Sequence, residues 1–361
     1  MGRSEKGGAT CRVSKKLTSP PPPHPTPLPF LHSVAQFVNL GTIHLTYGWR
    51  ISLALAAVPA FFLTLSALAL PDSPSSLASR GKPDAARAVL VRLRGTPNVD
   101  AEMDDILDAV KATAAVRGGG PALFTRRYRP ELTVALLVPL FQQMSGVNML
   151  MFYGPIILSS VGFSASASLL CTCVIGAINV AATLVSVALV DRVGRKPLFI
   201  QGGVQMVVAH VALAGLLAAY FKDGAPLPRP VGLAMIGMIC VFVSAFAWSW
   251  GPLGWLVPAE LQPLHTRPLA QSINVSVNMA LTALIGQTLL SMMCTFKAYV
   301  FLFFAGWMVV ATAWVALFLP ETKGVPCEEV AGLWADHWFW ARFVRAGVAD
   351  DGDSVKKAVA A

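Results

Sequence analysis

The chain has 361 residues, 55% of them apolar and 13% charged, with a mean hydropathy of +0.61. Those values exclude a water-soluble globular domain and a disordered chain, and describe a polytopic membrane protein. The formal charge of +9 does not mark a nucleic-acid binder, because basic residues collect in the N-terminal tail and a few loops, as cytoplasmic loops do, and not along one folded face.

Residues 1–31 begin MGRSEKGGATCRVSKK and run into SPPPPHPTPLP. They are expected to form a disordered, basic, proline-rich tail. They lack a secretory apolar segment, and Lys6 stands where a myristoylation signal needs Ser or Thr. A short, weak apolar run at 32–46 precedes seven strong ones at 50–70, 132–158, 166–190, 197–221, 230–257, 268–293 and 297–319, each near the roughly 20 residues that cross a bilayer. The segment 71–130 holds ten Lys and Arg residues, among them Arg80, Arg87, Arg94, Arg126 and Arg129, which predicts that it lies in the cytoplasm. Alternating from there, DRVGRK, AELQPLHTRP and the tail from 320 fall on the same side. Within the long loop, KPDAARAVLVRL and VDAEMDDILDAVKATAAV carry apolar residues three and four apart, the pattern of short amphipathic helices, with Asp84 or Asp100 as candidate caps.

The spans contain unusual polar residues. Gln142, Gln143 and Asn148 lie in FQQMSGVNMLMFYGP, Asn179 in the next span, and Asn274, Asn278, Thr282 and Gln287 in a later one; FAWSWGPLGWLVPAE adds Trp248, Trp250 and Trp255 around a Gly-Pro pair. An amide without a partner in hydrocarbon costs a few kcal/mol, so such groups persist where other groups or water satisfy them. On a straight helix Gln143 and Asn148 would stand about 140° apart; a distortion at Ser145-Gly146 would bring them round. Gly154 and Pro155 loosen the same span. Interrupted helices build substrate sites in transporters, and amides with an indole face suit a neutral, polyhydroxylated solute. An ion fits poorly, since no Asp, Glu, Lys or Arg sits in the middle of a span. The competing reading is that the amides join helices to one another; for Asn274 and Gln287 the two readings stay level.

Other features carry less chemistry. Cys171, Cys173 and Cys240 lie in apolar runs without metal-ligand spacing and read as small apolar filling. His210, in VVAHVALAG, is expected to make a hydrogen bond between packed helices and not to relay protons. Asn274-Val275-Ser276 is a glycosylation sequon inside a span, where modification is not expected. There is no nucleophile, base and oxyanion-donor set, and RGGGPALF follows no strand, so an enzyme is not expected.

GWRISLALAAVPA, LPDSP, FQQMSGVNMLMFYGP, DRVGRKP, GPLGWLVPAE and LPETKG occur in an order that resembles the sugar porters of the major facilitator superfamily, and within it the plant hexose-proton symporters, over about 35–330. The resemblance implies an all-α integral membrane fold: a remnant of span five with span six at 32–70, a cytoplasmic helical linker at 71–130, a C-terminal six-helix bundle of spans seven to twelve at 131–319, and a cytoplasmic tail at 320–361. It implies that Gln142, Gln143, Asn148, Asn179, Trp255, Asn278 and Thr282 contact a monosaccharide. It also implies that Asp191, Arg195, Lys196, Glu260 and Arg267 form this half's share of an inner-gate charge cluster.

Relatives of this kind have twelve spans in two halves, so the chain is expected to begin inside span five. The proton-binding aspartate, its arginine partner and one sugar contact of such relatives would precede residue 35. Cys294 resembles the cysteine that pairs with an extracellular lid in plant members. No cofactor is expected, the proton being the coupling ion in intact relatives. The implied partners are a monosaccharide, the bilayer of the plasma membrane and a complementary N-terminal half, without which the chain is not expected to transport; nucleic acid is excluded. A facilitative or intracellular sugar carrier, and a regulatory membrane protein that does not transport, are the alternatives.

Overall fold

The computed structural model describes residues 27–42, 45–115, 120–151, 164–220, 228–263, 266–325 and 330–345. Residues 1–26 of the expected tail, the Gly154-Pro155 pair, part of the glycine run at 118–120 and the end of the chain lie outside them, whereas residues 27–31, expected in the tail, form the first turns of a helix. Every regular element among the described residues is helical, and seven helical segments are long and apolar enough to cross a membrane.

The described residues open with α1 (Pro27–Thr42), α2 (Gly48–Leu55) and α3 (Ala57–Ala69). α1 packs along a later span, α8 (Ala165–Val193). The connecting segment then builds a small unit of α4 (Pro74–Ser79), α5 (Pro83–Arg94) and α6 (Asp100–Ala115), closed over Ala78, Ala86, Leu90, Val99 and Met103. Ser73 Oγ accepts from Ser76 N at 3.3 Å to start α4. Asp84 does not cap α5: Lys82 holds that position without a side-chain bond, and Asp84 lies in the first turn, where its charge faces the helix's positive end. Arg87–Asp100 at 2.7 Å and Arg94–Glu102 at 2.6 Å tie α5 to α6.

The membrane bundle follows: α7 (Arg129–Gln143), α8, α9 (Arg195–Tyr220), α10 (Arg229–Trp248), α11 (Trp250–Glu260), α12 (Arg267–Phe296) and α13 (Tyr299–Phe318). α9 is central and packs on α10 and α13. Gly202 and Gly203 permit that approach, since a Cβ would fall 1.9 Å from Ser249 Oγ at the first and 2.1 Å from Thr312 Oγ1 at the second. Small residues at such crossings let backbones close up where lipid supplies no hydrophobic drive. The core fills with Phe199, Met206, Leu213, Phe242, Trp250, Phe304 and Met308.

α10 and α11 are one span broken at Ser249, whose φ of −124° and ψ of −92° are not helical. Pro252 falls in the first turn of α11, where its missing N–H costs nothing. At the other end of the chain, α14 (Val330–Asp336) and the turn after it fold back on α13. Trp338 Nε1 donates to Leu317 O at 3.0 Å and Trp340 Nε1 to Phe318 O at 2.9 Å, satisfying carbonyls that a helix leaves open in its last turn.

Candidate functional site

α7 stops at Gln143, and helix resumes at residue 147. Gly146 has a φ of +80°, which glycine adopts without strain, and Phe304 closes over it, 3.0 Å from where a Cβ would stand. The Ser145 hydroxyl donates to Gln142 O at 2.6 Å and accepts from Val147 N at 3.4 Å. Met149 N bonds Gly146 O at 3.1 Å, so the Ser145 carbonyl is released from the helical ladder. His210 Nε2 takes it, at 2.8 Å.

The break brings Gln143 and Asn148 to the same side, as their sequence spacing required. Four amides then form a chain: Asn148 Nδ2 donates to Gln143 Oε1, Gln143 Nε2 to Asn278 Oδ1 at 2.9 Å, and Asn278 Nδ2 to Gln142 Oε1 at 2.8 Å. Gln142 Nε2 ends the series on the carbonyls of Trp250 and Gly251, at 2.9 and 3.0 Å. Those two carbonyls lie at the start of α11, so α7, α11 and α12 are joined through the amides. Gln142, Gln143 and Asn278 are buried and Asn148 is only half-buried. The buried end is closed by main chain, and the Asn148 end is open.

A second constellation sits where α8 meets α9. The Arg195 side chain, 10% exposed, contacts Asp191 Oδ1 at 3.0 Å and Glu260 Oε1 at 2.9 Å, with a further bond from Nε to Glu260 Oε2 at 3.3 Å. Thr322 Oγ1 donates to the same Glu260 oxygen at 2.8 Å. Glu321 accepts from Arg195 N at 2.9 Å and Lys196 N at 3.0 Å, so a carboxylate caps α9 where its free amides and dipole favour negative charge.

The model of the Sugar (and other) transporter family matches residues 32–334. The chain belongs to that family. It is 47% identical over 315 residues to Sugar transport protein MST6 of Oryza sativa subsp. japonica, covering 86% of this chain and 59% of the relative, and 47% identical over 304 residues to Sugar transport protein 1 of Arabidopsis thaliana, covering 83% and 58%. Among solved structures it is similar to the major facilitator superfamily proton:xylose symporter XylE bound to 6-bromo-6-deoxy-D-glucose, with a TM-score of 0.67, 25% identity and coverage of 84% of this chain and 64% of that one. The chain thus spans about three fifths of the length of these curated relatives.

Within this transporter bundle the residues singled out from sequence do not all converge. Thr282 bonds Asn278 O at 2.8 Å, one turn along α12 from the amide chain. Asn179 is buried in α8 and Trp255 is 38% exposed on α11; no hydrogen bond among the described residues links either to the amides. Asn274 is buried with both amide atoms unpartnered, and Gln287 is exposed, so neither joins helices through a side-chain bond. In the charged cluster, Lys196 contributes its backbone N–H. Arg267 donates to Gln262 O at 3.1 Å, and among the described residues Glu260 is ion-paired with Arg195 instead. Glu131 is buried in the first turn of α7, near one end of the span-forming segment Arg126–Met151 and not in its middle. The roles of Glu321 and Thr322 were missed, although LPETKG was visible as a motif.

Proposed function

We propose that the chain supplies one wall of a monosaccharide site in a hexose-proton symporter working by alternating access. The observation that carries this reading is the amide chain open at Asn148. Each amide oxygen has two lone pairs and each NH₂ two hydrogens, so sugar hydroxyls can bond at Asn148, Gln143 and Asn278 while the buried end stays paired. Trp255, exposed on α11, offers a flat face to ring C–H groups. Asn179 and Thr282 would complete the wall from α8 and α12. The matched relatives are named for sugar transport, and the glucose derivative bound to XylE supports a hexose-sized solute.

Asp191, Arg195 and Glu260 act in this reading as half of a latch that closes the inner mouth, with Lys196 and Arg267 facing the opposite half. The positive residues of 71–130 support a cytoplasmic linker and tail, and the reading assigns the spans to the plasma membrane. The proton is the coupling ion, no cofactor is required, and the protein catalyses no covalent step. The facing wall is assigned to a complementary N-terminal half.

The test is uptake of labelled glucose by yeast lacking its own hexose carriers. The chain is expressed alone and beside a separately encoded N-terminal half of rice MST6. Acid-stimulated uptake in the paired cells, lost on Asn148→Ala, is expected. Equal uptake with and without Asn148, from chains inserted equally well, would overturn the reading.

A further inference from the structure

His210 occupies a costly position. It is fully buried and ringed by Phe242, Phe301 and Phe304, with centroids at 4.7, 6.0 and 6.3 Å. The Ser145 carbonyl can only accept, so Nε2 carries the hydrogen of that bond, and Nδ1 is left as a buried acceptor with no partner. A leucine would fill a similar volume in this aromatic cage without stranding a polar atom. What histidine adds is one N–H aimed at one carbonyl.

That carbonyl is the one freed by the break in span seven. Its helical donor would be Met149 N, which bonds Gly146 O instead. The same Phe304 that stacks near His210 closes over Gly146, so imidazole and phenyl together form a socket for the turn 144–146. We propose that His210 is a positioning residue for the amide site: its Nε2–H holds Ser145 O out of the helix, fixing the turn that swings Asn148 onto Gln143. The inference rests on the sugar-site reading for its purpose, but its geometry can be tested without sugar.

Without this donor the Ser145 carbonyl would be buried and unsatisfied, and the least expensive remedy is for the chain to rewind and give it Met149 N. Asn148 would then return to about 140° from Gln143. Glutamine at 210 can still donate from its amide; leucine cannot.

The experiment compares hydrogen–deuterium exchange of the full chain in lipid nanodiscs with its His210→Leu and His210→Gln variants, followed by D-glucose titration. Exchange in 144–150 is expected to change about tenfold in His210→Leu, with α9 and α13 unchanged and His210→Gln close to wild type. Glucose affinity should fall about tenfold in the leucine variant and less than about threefold in the glutamine variant. Unchanged exchange at 144–150, or a uniform rise across the bundle, would overturn the brace. A local change with no glucose binding even in wild type would leave the brace standing and count against the sugar reading alone.

Discussion

Gly254 lies against Gln142 so closely that a Cβ added there would fall 2.6 Å from the Gln142 amide nitrogen. The contact holds the closed end of the amide chain on the Trp250 and Gly251 carbonyls. Gly254→Ala is therefore expected to push Gln142 off its acceptors and lower stability by about 1–3 kcal/mol. Gly215→Ala, in α9 with open space around it, should change stability by less than about 1 kcal/mol. Thermal unfolding of the two purified variants makes the comparison.

Asn278 and Asn148 should separate on stability. Asn278→Ala strands Gln142 Oε1 and Gln143 Nε2 together in a buried site, an expected loss of about 2–4 kcal/mol. Asn148→Ala strands only Gln143 Oε1 at the open end, for about 1 kcal/mol. Chemical or thermal denaturation of the two variants in one detergent measures the difference.

Arg195 and Glu260 are 10% and 24% exposed at their side chains, whereas Lys111 and Asp108 are 74% and 77% exposed. Removing Glu260 leaves a nearly buried guanidinium with Asp191 as its remaining carboxylate and the Val190 carbonyl, so Glu260→Ala should cost about 2–4 kcal/mol. Asp108→Ala should cost less than about 0.5 kcal/mol. Added salt should narrow the second effect and leave most of the first.

Docking of the C-terminal segment is expected to depend on pH through His337. Its Nδ1 accepts from Phe339 N at 3.2 Å and Trp340 N at 3.5 Å. Burial and the nearby Lys196 charge hold its pKa below the usual imidazole value, against the opposing bond to Leu317 O. The folded state thus prefers the neutral ring, and its contribution is full above the unfolded pKa of about 6.5 and is lost as pH falls through that value towards the lowered folded one. Protease cleavage within 330–345 should be faster at about pH 5.5 than at about pH 7.5, and His337→Gln should flatten that difference.

Much of this was legible in the sequence, for physical reasons that differ by element. Apolar runs mark spans because lipid tolerates little else, and the Ser145-Gly146 break was readable because two amides five residues apart need it to meet. The helices at Pro83–Arg94 and Asp100–Ala115 announced themselves by periodicity. What could not be read is long-range. Glu321 caps α9 across 126 residues, and a carboxylate in LPETKG gives no sign of which helix it will meet. The resemblance places Arg267 in a charge cluster with Glu260, yet its guanidinium donates to the Gln262 carbonyl, a local bond that a charge pattern does not foretell. The Ser249 break escaped because Gly-Pro drew attention to the residues after it.

The most direct measurement is a D-glucose titration, by isothermal calorimetry, of the purified chain in lipid nanodiscs, wild type beside Asn148→Ala. Saturable binding that weakens at least tenfold in the variant, roughly the loss of one good hydrogen bond, is the result expected if the amide chain forms the wall of a sugar site. Saturable binding unchanged by Asn148→Ala would contradict it, because the open end of the chain would then take no part in holding the sugar.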